Sequence, residues 1–143
     1  MSDHQGTPTP VRVLVVDDEV DYATALAARL RRRGFAADFT CSGTDAIARV
    51  GAAPPEVVLL DLKMPGMDGL ATLRALHRIA PQVRIIVLTG HGTVASGIEG
   101  MQIGAEDFLL KPVDIDVLCV AIAATAADGR REAGSAPEEG NAS

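Results

Sequence analysis

The chain has 143 residues, a formal net charge of −6 and an apolar fraction of 48%, so it is long enough for one domain with a core of its own. The excess of acidic residues argues against this chain holding nucleic acid by itself. Its apolar runs are too short to span a membrane, and residues 1–10 lack the basic start and apolar stretch of a secretory signal.

Strand-like and helix-like segments alternate along residues 11–127. In chain order they are a strand at 11–16, a helix at 20–32 that Gly34 ends, a strand at 35–39, a helix that Ser42 caps and Pro54 breaks, a strand at 57–60, a helix at 69–79, a strand at 83–88, a weak helix at 94–103, a strand at 107–110 and an Ala-rich helix at 114–126. We expect residues 1–10 to be a flexible lead-in. Residues 128–143 have no apolar period, and we expect a disordered tail or linker there.

The alternation predicts an α/β fold built from βα units. Strands that are apolar on both faces, as at 57–60, indicate a doubly wound, five-stranded parallel sheet with helices on both faces. In the flavodoxin-like strand order 2-1-3-4-5, the first and third strands are neighbours, and ligands bind outside the carboxyl ends of the strands. The residues that directly follow the strands are therefore the candidates for chemistry.

Polar side chains follow four of the predicted strands: Asp17 and Asp18, then Asp61, Thr89 and Lys111. Converging carboxylates repel each other by roughly 4 kcal/mol per pair at about 4 Å and an effective dielectric constant near 20, so they need protons or a cation. Mg²⁺ fits, because it binds carboxylates, water and phosphate oxygens. With a lysine and a hydroxyl nearby, the cluster predicts a phosphoryl-transfer site. Asp61 is the favoured nucleophile because it stands alone at the end of a central strand.

Four motifs stand in order at the predicted strand ends and span most of residues 11–126. They are Val-Leu-Val-Val-Asp-Asp-Glu at 13–19, Val-Val-Leu-Leu-Asp-Leu-Lys-Met-Pro-Gly-Met-Asp-Gly at 57–69, Ile-Ile-Val-Leu-Thr-Gly-His-Gly at 85–92 and Gly-Ala-Glu-Asp-Phe-Leu-Leu-Lys-Pro at 104–112. Together they resemble the receiver domains of bacterial two-component response regulators. One Asp-Asp pair alone would carry little weight, whereas four motifs in this order are specific.

The resemblance implies that Asp61 accepts a phosphoryl group from a phosphohistidine of a sensor histidine kinase or a phosphotransfer protein. It implies that Asp18, Asp61 and the backbone carbonyl of Lys63 bind Mg²⁺, and that Asp17 holds the ion directly or through water. On this interpretation the chain is not an enzyme, since it catalyses only its own phosphorylation and dephosphorylation.

The resemblance also implies a switch. Lys111 pairs with the carboxylate or the phosphoryl oxygens, Thr89 turns toward the phosphoryl group, and Phe108 follows it, although Phe108 is equally well explained as plain core. The output is then a change on the surface formed by the fourth helix, fifth strand and fifth helix. Glycines weaken the helix at 94–103, so we interpret it as the bistable element.

Other residues near the strand ends have simpler explanations. Asp68 is expected to cap the helix at 69–79, and His91 is expected to be a solvated loop residue. Cys41 and Cys119 are far apart and lie in no metal-binding motif, so free thiols in a cytoplasmic, reducing compartment are expected.

Two other functions use a similar sheet. A magnesium-dependent phosphatase of the haloacid-dehalogenase type needs Asp-x-Asp after the first strand, where this chain has Asp17, Asp18 and Glu19. A flavin site needs a Ser-, Thr- or Gly-rich phosphate loop there, where this chain is acidic. Both are therefore distant alternatives.

The sequence says less about the downstream partner of the receiver than about the residue that accepts the phosphoryl group. No effector domain fits within 128–143, so we favour a stand-alone receiver that acts on an unknown downstream protein, with a phosphorylation-dependent homodimer as a further partner state. The alternative is the receiver fragment of a multidomain transcriptional regulator, which the sequence at 85–112 resembles.

Overall fold

A computed structural model describes residues 9–63, 68–90 and 93–142, with side chains described as far as Ala133. Strands and helices alternate within these ranges. They are β1 (Arg12–Val16), α1 (Val20–Arg32), β2 (Ala36–Thr40), α2 (Gly43–Ala52), β3 (Val57–Leu60), α3 (Gly69–Ile79), β4 (Arg84–Thr89), α4 (Val94–Ile103), β5 (Asp107–Leu110) and α5 (Ile115–Ala142).

The described strands form one parallel sheet in the order β2-β1-β3-β4-β5, which confirms the predicted doubly wound topology. β1 and β3 stay in register as far as the pair Val16 and Leu60. The next residues along each strand are Asp17 and Asp61, so the two acids leave the sheet side by side. The topology thus places both carboxylates at the switch point, where this class of sheet binds its ligands.

The sheet separates two apolar layers. Val13 and Val15 of β1 pack with α1 and α5, while Leu14 and Val16 pack with α2 and α3, because successive side chains of a strand point to opposite faces. The largest fully buried side chains are leucine and isoleucine, and each such side chain contributes roughly 1.5–3 kcal/mol when it is buried. Aliphatic packing therefore holds the strands in place. It also fixes the edge of the sheet formed by the carboxyl ends of the strands, which we call the rim.

The predicted caps are present. Ser42 Oγ accepts the backbone N–H of Asp45 at the start of α2, and Asp68 accepts the N–H of Leu70 at the start of α3. Gly34 follows α1 with φ +95°, a conformation that favours glycine. Ser42 and Asp68 thus set where α2 and α3 begin, at the edge of the sheet formed by the carboxyl ends of the strands, whereas Gly34 lies at the opposite edge.

The last helix differs from the sequence prediction. The helix was expected to end at 126 and a disordered tail to begin at 128, whereas α5 continues to Ala142. Ionic contacts join this part of α5 to the rest of the domain: the Arg130 guanidinium binds both carboxylate oxygens of Glu56 at 2.5 and 2.7 Å, and Glu132 pairs with Arg84. No helix in the described part of the chain combines the length and apolarity that crossing a membrane requires.

Candidate phosphoryl-transfer site

The site begins where the backbone ladder of the sheet ends. The N–H of Asp17 donates to the carbonyl of Thr40, and the N–H of Asp61 donates to the carbonyl of Val16, at 3.2 and 3.0 Å. These bonds hold both residues in the sheet although their side chains leave it. Asp17 and Asp61 are only 2% and 4% exposed, so their carboxylates are nearly removed from water.

Three carboxylates meet at this rim. Oxygens of Asp17, Asp18 and Asp61 all lie within 4.8 Å of one another, and Asp18 is half-buried. Burial raises the pKa of Asp17, although its hydrogen bonds from Lys111 and from the N–H of Glu19 oppose that shift. Such a group of hard oxygen donors is suited to a divalent cation that prefers oxygen, such as Mg²⁺.

Lys111 supplies the positive charge at the site. Its Nζ lies 2.6 Å from Asp17 Oδ2, 3.6 Å from Asp61 Oδ2 and 3.7 Å from Glu19 Oε1. Burial lowers the pKa of Lys111, but the hydrogen bond to Asp17 and the nearby carboxylates outweigh it, so the pKa is raised overall. Lys111 directly follows β5, and the Lys111-Pro112 bond is cis. Among the described residues one ammonium thus faces three acids, which leaves excess negative charge for a metal ion to neutralise.

In the part of the chain that the structure describes, two donors hold one oxygen of Asp61. Thr89 Oγ1 donates to Asp61 Oδ1 at 2.6 Å, and the backbone N–H of Lys63 donates to the same oxygen at 3.0 Å. Thr89 is fully buried, whereas the Lys63 side chain is exposed. The sequence predicted the carbonyl of Lys63 as a metal ligand, and that role stays a prediction; the contact in the structure is through its amide. The plane of the Asp61 carboxylate is therefore fixed before any ligand binds.

Phe108 lies away from the acids, on the outer part of the sheet. Its ring is half-buried against Gly97 of α4 and lines a groove between α4 and β5. Large apolar side chains are exposed around this groove: Val94, Ile98, Met101 and Leu110. We name these four residues and Phe108 the α4–β5 groove. It is an apolar surface next to β4, the strand that carries Thr89.

A family model described as the response regulator receiver domain matches residues 13–123. The chain belongs to this family.

Two curated relatives of this receiver domain are longer proteins. The domain is 39% identical over 108 residues to the transcriptional regulatory protein ZraR of Salmonella typhimurium, covering 76% of this chain and 24% of the relative. It is 37% identical over 106 residues to the C4-dicarboxylate transport transcriptional regulatory protein DctD of Rhizobium meliloti, covering 74% of this chain and 23% of the relative. The chain spans about a quarter of these relatives, so the comparisons favour the alternative, a receiver of a multidomain regulator, over the stand-alone receiver that we expected.

A solved structure bears on the site itself. A response regulator protein from Burkholderia pseudomallei, described with a phosphorylated aspartic acid, a calcium ion and citrate, is 30% identical to this chain. The TM-score is 0.75, with 90% of this chain and 74% of that chain covered.

The receiver domain brings together most of the residues that the sequence singled out. Asp17, Asp18, Asp61, Thr89 and Lys111 meet at one rim, and Phe108 lies apart in the groove. The predicted loop residue His91 lies outside the described residues.

Sequence reasoning missed two contributors at the rim. The N–H of Glu19 donates to Asp17 Oδ1 at 2.9 Å, and the ring of Tyr22 lies under the Lys111 ammonium. The acidic motif at 13–19 contains Glu19 and could have indicated it. No spacing pattern connects Tyr22 with Lys111, since the contact depends on how α1 packs.

Proposed function

We propose that this receiver accepts a phosphoryl group on Asp61 from a phosphohistidine of a sensor histidine kinase or a phosphotransfer protein. The surroundings of Asp61 carry the proposal: a buried carboxylate at a central strand end lies among a hydroxyl, an amide, an ammonium and two further acids. The Burkholderia structure, described with a phosphorylated aspartic acid, supports the same chemistry. Charge neutralisation and positioning are what phosphoryl transfer requires.

The donor set at the rim supports Mg²⁺ as the metal. We propose that Asp18, Asp61 and the backbone carbonyl of Lys63 are ligands, with Asp17 bound directly or through water. When bound, Mg²⁺ neutralises charge on the phosphoryl oxygens. Without a cation, each pair of carboxylates repels by at least about 0.9–3.5 kcal/mol, since their oxygens lie within 4.8 Å and the effective dielectric constant lies between about 80 and 20.

The transfer step uses few protein groups. An oxygen of the Asp61 carboxylate forms a bond to phosphorus while the bond from phosphorus to the histidine nitrogen breaks, and the electron pair of that bond stays on the imidazole, which takes up a proton. Thr89 and the Lys63 amide hold the carboxylate in place through Oδ1. Lys111 lies 3.6 Å from Oδ2, near enough to follow the incoming phosphoryl oxygens. The chain itself thus catalyses only its own phosphorylation and dephosphorylation.

We propose that phosphorylation of Asp61 changes the α4–β5 groove through Thr89. Thr89 contacts Asp61, and Phe108 lies on the neighbouring strand with its ring against α4. A phosphoryl group on Asp61 changes what the Thr89 hydroxyl bonds to, which favours a different packing of Phe108. The exposed apolar side chains of the groove then become the surface that a downstream protein, or a second copy in a phosphorylation-dependent homodimer, contacts.

We propose further that the receiver controls a longer transcriptional regulator, with DNA contacts made by other parts of that protein. The support is that ZraR and DctD are named as transcriptional regulatory proteins and that this chain matches about a quarter of each. Reading the native open reading frame around this sequence tests the proposal. A frame that ends at Ser143 contradicts it and restores the stand-alone receiver.

Intact-mass spectrometry after incubation with acetyl phosphate and Mg²⁺ tests the acceptor. The wild-type chain is expected to gain about 80 Da, the mass of one phosphoryl group. Asp61→Asn is expected to gain nothing. Asp68→Asn, which changes an exposed capping aspartate outside the cluster, is the matched control and keeps the adduct. A wild-type chain without the adduct, or an Asp61→Asn chain with it, contradicts the proposal.

A further inference from the structure

The Lys111 ammonium contacts an aromatic ring as well as acids. Its Nζ lies 4.1 Å from the centroid of the Tyr22 ring. On its other sides the same nitrogen faces Asp17 at 2.6 Å and Asp61 at 3.6 Å. The ammonium is therefore held between an aromatic face from α1 and the carboxylates at the strand ends. At this distance the attraction of a cation for the ring quadrupole is effective.

The ring is held by the core. Tyr22 lies in the first turn of α1, is half-buried, and packs against the apolar layer that α1 and α5 form on the sheet. The Lys111 side chain is 14% exposed, so little water surrounds its charge. Cation–π attraction is stronger when the cation is desolvated. The contact thus joins a ring that packs on the core and an ammonium that is largely shielded from water, not two flexible surface groups.

The distances from the Lys111 ammonium to Asp17 and to Asp61 indicate how the Tyr22 ring could assist the transfer. The ammonium binds Asp17 at 2.6 Å and lies 3.6 Å from Asp61 Oδ2, so it must approach that oxygen by about 0.7 Å to reach an ordinary hydrogen-bond length. At 3.6 Å an N···O contact is longer than a hydrogen bond. The attraction to the face of a ring has no comparable directional requirement, so it persists while the partner acids exchange.

We infer that Tyr22 is a positioning residue for phosphoryl transfer: its ring holds the Lys111 ammonium beside the acceptor while the ammonium moves from Asp17 to the oxygens on Asp61. This inference rests on the proposed function of Asp61. It assigns to the aromatic face of Tyr22, and not to its hydroxyl, an effect on the rate of the chemical step. Tyr22 acts through Lys111 and does not touch the acceptor.

Three variants separate positioning from packing. Tyr22→Phe keeps the ring and removes the hydroxyl, whereas Tyr22→Leu keeps an apolar side chain and removes the ring face. Phe35→Leu is the matched control, because Phe35 packs against the same apolar layer and lies at the far end of β2 from the acids. All three retain the acids and Lys111.

The rate of phosphorylation is measured against acetyl phosphate concentration at saturating Mg²⁺. In Tyr22→Leu the rate at saturating donor is expected to fall about 5- to 30-fold, the range that a desolvated cation–π contact supports, with the half-saturating donor concentration changed less than about twofold. Tyr22→Phe and Phe35→Leu are expected to stay within about twofold of the wild type. In the unphosphorylated protein, the ε-methylene protons of Lys111 are expected to show an upfield ring-current shift in wild type and Tyr22→Phe, and none in Tyr22→Leu.

The outcomes separate this inference from the function on which it rests. A wild-type chain that gains no adduct on Asp61 overturns both. A wild-type adduct together with a wild-type rate in Tyr22→Leu overturns only the role of Tyr22. That role is also overturned if Tyr22→Phe or Phe35→Leu is as slow as Tyr22→Leu, or if the ring-current shift is missing in the wild type.

Discussion

Removing one negative charge from the acid cluster should make the metal-free protein more stable. Asp18→Asn is the most informative change, because Asp18 is half-buried in the cluster and makes no ion pair with Lys111 in the described part of the chain. Its oxygens lie within 4.8 Å of those of Asp17 and Asp61. Asparagine keeps the shape of the side chain and removes its charge, so the electrostatic effect is isolated.

The magnitude follows from Coulomb's law. At 4.8 Å two unit charges repel by about 0.9 kcal/mol in water and about 3.5 kcal/mol at an effective dielectric constant near 20. Because Asp18 is partly exposed, the value near water applies to each of its two neighbours, and Asp18→Asn should gain about 1–2 kcal/mol in EDTA. For a domain of this size that corresponds to a rise in Tm of about 3–8 °C.

The assay is thermal or urea unfolding in EDTA and in excess Mg²⁺. At Mg²⁺ about 100 times its Kd, the wild type should gain about 2.7 kcal/mol, and Asp18→Asn should lose most of this gain. Asp21→Asn removes the same charge from the first turn of α1, outside the cluster, and should keep the wild-type response to Mg²⁺. Carboxylate repulsion at the rim is refuted if Asp18→Asn is less stable than wild type in EDTA, and the role of Asp18 in metal binding is refuted if the variant responds to Mg²⁺ as the wild type does.

Two further predictions concern regions away from the acids. The hydrogen bond from Arg130 holds the pKa of Glu56 below its ordinary value of 4.5, so this pair stabilises the fold above that pH and the stabilisation is lost as the pH falls through the lowered pKa. Arg130→Ala should therefore cost about 0.5–1 kcal/mol in urea unfolding at neutral pH and progressively less as the pH falls below 4.5; a cost that does not change with pH contradicts the ion pair. A Cβ at Gly100 meets its neighbours only at ordinary contact distance, so Gly100→Ala should add about 0.5–1 kcal/mol and slow amide exchange in α4, which in the wild type should exchange faster than the first half of α5. Unchanged exchange in α4 would refute the view that glycine makes this helix labile.

The sequence predicted the strand ends well for a physical reason. Parallel strands such as β3 are buried on both faces, so they read as unbroken apolar runs, and the first polar residue after each run marks the rim. Asp17, Asp61, Thr89 and Lys111 were all found in this way, since strand order alone brings the ends of neighbouring strands together.

What the sequence did not predict depends on contacts between distant elements. The ring of Tyr22 beside Lys111 follows from how α1 packs on the sheet, and the preference of Lys111 for Asp17 over Asp61 depends on where its side chain reaches across the strand ends. The ion pair of Arg130 with Glu56 joins α5 to a residue 74 positions earlier in the chain. Helix propensity and apolar periodicity contain no information about such pairs, so the sequence predicted a disordered tail for the polar segment of α5 after residue 127.

The position of the phosphoryl group on the chain is the most direct test of Asp61 as the acceptor. Borohydride reduces an aspartyl phosphate to homoserine, so a wild-type chain phosphorylated with Mg²⁺ present, reduced, digested and sequenced by tandem mass spectrometry reports the acceptor by position. We predict homoserine at position 61 and aspartate at positions 17 and 18. Homoserine at position 17 or 18, or at no position in a chain that carries the adduct, would contradict the central claim that Asp61 is the acceptor.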